Sequence, residues 1–159
     1  MLLNSVPCDK RSVALCKTPC ATIMYSASKS CLLISADPMD HVAFVRALAD
    51  VAPNSHFILA ESAVAALDFL KGDCITPDCV FMELDMIGID GIDFLRLSKH
   101  SAQLQNVPII IHSPRPAPEK VSILREMGAF AIYFQPYSHL SIRNVFDIFF
   151  KDDFRMCFN

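Results

Sequence analysis

A chain of 159 residues and 17.7 kDa has the size of one domain with short tails, and a formal net charge of −3 speaks against nucleic acid as a direct ligand. The apolar fraction of 53% and mean hydropathy of +0.37 are high, but no uninterrupted apolar stretch reaches the roughly 20 residues that cross a bilayer. Strands buried on both faces, as in parallel sheets, account for the surplus, and membrane binding is not expected.

Residues 1–29 carry Pro7, Pro19 and scattered Ser, Thr and Lys without a sustained period, and read as a flexible leader with no secretory signal. Residues 30–150 hold the folded domain, and 151–159 form a C-terminal tail. Cys31-Leu32-Leu33-Ile34 is the first buried strand. Asp37-Pro38 then supplies an N-cap with Pro at the first helical position, and Phe44, Val45, Leu48 and Ala49 recur at helical spacing. Phe57 to Ala60 is the second strand, and Ala63 to Lys71 a helix stopped by Gly72.

The most informative stretch runs from Pro77 to Gly91. A Pro-Asp turn leads into the apolar strand Cys79-Val80-Phe81-Met82, then Glu83, then a loop punctuated by Gly88 and Gly91. The helix Ile92 to His100 follows, then a fourth strand from Val107 to Ile111 that ends at His112-Ser113. Pro114, Pro116 and Pro118 lead to a helix from about Glu119 to Met127, stopped by Gly128. Ala131 to Phe134 is the fifth strand, and Ser138 can cap a last helix through Phe150. Alternating strands and helices with short connections predict an α/β doubly wound parallel sheet of five strands, in the flavodoxin-like order 2-1-3-4-5. Its switch point lies between the first and third strands, with Ser35, Ala36 and Glu83 at the crevice.

The apolar strand, the acid at its end and the loop Met86-Ile87-Gly88-Ile89-Asp90-Gly91 together resemble the receiver domain of bacterial response regulators. The resemblance covers about residues 30–150 and implies phosphoryl transfer to a carboxylate, assisted by magnesium. It places the acceptor at Glu83, where the family has aspartate. It places the family's metal-binding acidic pair at Ser35 and Ala36, neither of them acidic, with Asp37 left as a helix cap. The hydroxyl residue after the fourth strand is kept as Ser113. The lysine after the fifth strand becomes Gln135, and the aromatic switch position becomes Ile132. Every chemical position but Ser113 has changed, so the expectation is an atypical, degenerate receiver with no magnesium or other cofactor.

The Glu83 side chain is longer than aspartate by about 1.5 Å. It either mimics in part a phosphoryl group of about −1.5 to −2 charge or is a polar strand end. Glu83, Ser113 and Gln135 are expected to form a hydrogen-bonded, charge-poor cluster that holds one conformation.

The 7 Cys contain no Cys-x-x-Cys pair; Cys31 and Cys79 read as small apolar core residues, and a reducing cytoplasm is the expected compartment. His41, His56, His100, His112 and His139 lack ligand spacing and read as surface or locally satisfied residues.

The last helix is apolar around most of its circumference, with Leu140, Phe146, Phe149 and Phe150 among the residues that point to a partner face. The resemblance puts the usual partner surface on the fourth helix, fifth strand and fifth helix, so a protein partner or a second copy of the chain is expected there. Nothing after residue 150 is long enough for an output domain, which makes the reading a stand-alone phosphorelay module, not an enzyme. Two alternatives remain: a receiver that still takes phosphate on Glu83 or Asp85, and a small-molecule module in the crevice beside Ser35 and Ala36.

Overall fold

The central strands of the computed structural model are covered on both faces, as the apolar surplus requires. The structure describes residues 21–24, 29–72, 76–134 and 139–150. In chain order the strands are β1 (Ala21–Met24), β2 (Ser30–Ile34), β3 (His56–Ala60), β4 (Cys79–Glu83), β5 (Ile109–Ser113) and β6 (Ala131–Phe134). The helices are α1 (Pro38–Val51), α2 (Ala63–Leu70), α3 (Gly91–Ser98), α4 (Pro118–Glu126) and α5 (His139–Phe150). The sheet order is β1-β3-β2-β4-β5-β6. Without β1 this is the parallel 2-1-3-4-5 order that the alternation predicts. Among the described residues no helix is long and apolar enough to cross a membrane.

Alternation along the strands sorts the core into two layers. Leu32, Ile34, Val80, Met82, Ile109 and Ile111 face α2, α3 and α4, meeting Ala66, Phe69, Phe94 and Leu124. Cys31, Leu33, Cys79, Phe81 and Ile110 face α1 and α5, meeting Phe44, Leu48, Ile142 and Phe146. Cys31 and Cys79 sit opposite each other in the β2–β4 register as free, buried thiols. Burial, with a hydrogen bond to Cys79, pushes the Cys31 thiol well up. Both cysteines therefore behave as the small core residues expected of them.

Local chemistry sets the helix starts. The Asp37 carboxylate accepts from Met39 N at 2.8 Å with Pro38 at the first turn, Ser62 accepts from Ala65 N at 3.1 Å, and Asp90 accepts from Asp93 N at 2.9 Å. At Gly91 a Cβ would lie 3.1 Å from Leu84 Cα, so the glycine of the Asp90-Gly91 pair permits the loop to close on the strand end. The Pro77-Asp78 turn is fastened to β2, where Ser30 N donates to Asp78 Oδ2 at 2.7 Å.

Two sequence expectations need correction. Residues 21–24 are not leader but the antiparallel edge strand β1, paired with β3 from Ala21↔Ala60 to Met24↔Phe57. The pairing is long-range, and four residues are too few to show a period. The remainder of the proposed leader on 1–20 and 25–28 and the tail 151–159 lie outside the described residues.

The second correction is Phe146, which is core and not partner surface. It is fully buried, with its ring 5.9 Å from Phe44 and 5.0 Å from Phe81, both edge-on. Ile142 and Val145 are buried with it, so much of the apolar circumference of α5 is spent on α1 and the sheet. Phe150 is half-buried, 5.7 Å from the Phe146 ring, and Lys29 Nζ lies 5.9 Å over its face. The side chains of Leu140 and Phe149 lie outside the described residues.

Candidate functional site

The parallel strands bring the residue after β2 and the last residues of β4 and β5 to one edge. There Ser35, fully buried, is the hub. Its Oγ lies 3.0 Å from Asp40 Oδ2 and 3.0 Å from Glu83 Oε2, and accepts from Asp37 N at 3.1 Å. His41 Nε2 donates to the Ser35 carbonyl oxygen at 2.7 Å, and Ser35 N donates to Ala60 O at 3.1 Å. The turn from β2 into α1 is thus held on every side. Glu83 is half-buried, and its longer side chain reaches the neighbouring strand β2.

Asp40 is the residue that reading the sequence for its site missed. It is 4% exposed although it stands in the first turn of a surface helix. The signal was present: Asp40, Phe44 and Ala47 fall at i, i+4 and i+7, so the apolar stripe of α1 carries Asp40 inward. Burial raises its carboxyl from 3.8 to about 6; the Ser35 hydrogen bond opposes the rise, the Asp37 and Glu83 charges add to it, and His41 draws it down.

His112, read as a surface or locally satisfied residue, is fully buried on β5, with Nδ1 3.7 Å from Asp40 Oδ2. That separation is within reach of an ion pair, but burial holds the imidazole down to about 3. At neutral pH the contact is therefore one to a neutral ring.

The other predicted positions divide. Ala36 is exposed and Asp37 caps α1, so neither carries a side-chain carboxylate into the crevice. Ser113 is 1% exposed and its Oγ makes no hydrogen bond among the described residues. The expected Glu83–Ser113 link is therefore replaced by Glu83–Ser35, because the glutamate turns to β2 and not along β5. Gln135 lies outside the described residues. Ile132 is half-buried and packs against the layer that holds Leu124 of α4. At the mouth, Lys120 of α4 donates to Asp85 of the β4–α3 loop, and this bond raises the lysine.

A hard divalent ion wants several oxygen ligands, carboxylates among them. Here the two carboxylates that converge are joined through one hydroxyl, and among the described residues no three of His, Cys, Asp and Glu group to hold a metal. The donor set does not fit magnesium.

No protein-family model and no curated protein matches the sequence. Solved structures do resemble it. The phosphorylated cyanobacterial phytochrome response regulator RcpA superposes with a TM-score of 0.73 at 14% identity, over 79% of this chain and 96% of that one. The Vibrio cholerae chemotaxis protein CheY4 gives 0.67 at 17% identity, over 77% and 99%. The receiver domain of the Pseudomonas aeruginosa sensor histidine kinase PA1611, which has magnesium coordinated in its active-site cleft, gives 0.65 at 15%, over 77% and 98%. Beyond the added strand β1, the chain has the fold of a response-regulator receiver domain.

Proposed function

We propose that the chain is a degenerate receiver module of two-component signalling that works by protein–protein contact and is not phosphorylated at position 83. The carrying observation is the engagement of Glu83 with Ser35, on the side where the resemblance puts an acidic metal ligand. A phosphoryl acceptor needs positive charge to offset about −1.5 to −2. Glu83 instead shares a buried hydroxyl with a second carboxyl group, Asp40. The module is not an enzyme in this reading, and its reduced Cys31 and Cys79 suit a reducing cytoplasm.

The partner meets the face of α4, β6 and α5. With Phe146 buried, Ile123, Phe134 and Ile148, all exposed, are the apolar residues among the described ones that support this surface. The partner is another protein or a second copy of the chain.

Intact-mass spectrometry after incubation with acetyl phosphate and magnesium, with a thermal-shift scan against beryllofluoride, tests the reading. No mass gain and no shift are expected. A magnesium-dependent phosphate adduct mapping to Glu83 or Asp85 refutes it.

A further inference from the structure

We propose that the Ser35 hub is a pH-sensitive latch: a proton shared through Ser35 Oγ holds Asp40 and Glu83 together, and its loss releases Glu83 to solvent. The number of hydrogens available decides which contacts can form. A serine hydroxyl has one hydrogen to give and two lone pairs to receive. Asp37 N–H takes one lone pair at 3.1 Å, while Asp40 Oδ2 and Glu83 Oε2 both lie at 3.0 Å. If both carboxyls are ionised they only accept, and the single hydroxyl hydrogen serves one of them. The other then faces a lone pair with no hydrogen between. If one carboxyl is protonated, it donates to the remaining lone pair while the hydroxyl donates to the other, and all three contacts are satisfied. Only the singly protonated cluster satisfies all three contacts.

The surroundings decide which carboxyl keeps the proton and which one moves. Asp40 is buried and Glu83 half-buried, so charge is more costly on Asp40. The groups facing Asp40 are Asp37 and His41 on α1, Glu83 on β4 and His112 on β5. Asp37 and Glu83 oppose its ionisation and His41 favours it, whereas His112 is neutral at these pH values. Burial leads this balance and sets the exchange at about 6. When the proton leaves, Asp40, almost wholly buried, keeps Ser35. Glu83, at the open side, breaks away. The latch bears on the proposed reading: above about 6 it frees Glu83 Oε2. The phosphate-independent reading then rests on the donor set that does not fit magnesium and on Gln135 where the family has lysine, which the acetyl phosphate assay tests apart from the titration.

The test is a side-chain carboxyl NMR titration of the full chain. Asp40 is expected to titrate with a midpoint of about 6, and the Glu83 carboxyl carbon to show an inflection at the same pH. In Ser35→Ala, Asp40 still titrates but Glu83 no longer follows it; in Asp40→Asn, that Glu83 inflection is gone. An Asp40 midpoint at the ordinary 3.8, or a wild-type Glu83 signal that ignores Asp40, overturns the proposal. If Asp40→Asn does not fold, wild type and Ser35→Ala decide the matter.

Discussion

Replacing Asp40 by Asn should flatten one identifiable step in the stability of this chain against pH. The folded protein holds the carboxyl at about 6 against 3.8 in the unfolded chain, so the folded state binds the proton more tightly. The stability linked to this proton is complete below 3.8 and is lost as pH rises to about 6, above which it stays lost. One unit is worth about 1.4 kcal/mol, so the whole step amounts to at most about 3 kcal/mol. Asparagine is close to isosteric and has no proton to lose, while its amide N–H donates to Ser35 Oγ as the protonated carboxyl does. Urea unfolding of both proteins across that range is the assay, and subtracting the variant cancels the titrating groups that Asp40 does not touch. The wild type should lose up to about 3 kcal/mol relative to Asp40→Asn between about pH 4 and pH 7. Parallel profiles would show that Asp40 titrates normally and that its burial does not penalise its charge.

Phe146→Ala should cost about 3–5 kcal/mol in chemical denaturation, as for a core aromatic with Phe44 and Phe81 against it; a near-zero cost would return Phe146 to the surface. Gly91→Ala should destabilise by about 1–3 kcal/mol, since its Cβ presses on backbone at Leu84, and thermal melting measures it. Ser62→Ala removes the cap on Ala65 N and should cost about 1 kcal/mol by the same melt, without changing the carboxyl titration of Asp40.

What could be read along the chain was whatever local chemistry settles. The Asp37-Pro38 cap, the Asp90-Gly91 turn and the uniformly apolar strands fix the βα rhythm, and from that the sheet order follows. The pairing of Ala21–Met24 with β3 was not readable, because a short antiparallel strand is defined by a partner more than thirty positions away. Within the site, Ser35 and Glu83 were found from strand ends. Asp40 was overlooked because an acid in a first helical turn is usually explained by the helix dipole. Phe146 was misjudged for a related reason: helical periodicity shows which residues are apolar, but when they cover most of the circumference it does not say which side meets the sheet.

The direction of β1 has a practical side. It runs antiparallel to β3 with Ala21 opposite Ala60, whose carbonyl also receives Ser35 N. Two strand spacings, roughly 10 Å, therefore separate Ala21 from the Ser35 backbone. A fluorophore attached at position 21 would sit beside the crevice and report its opening directly, whereas one at Met24 would sit at the far end of the same strand and serve as the internal control.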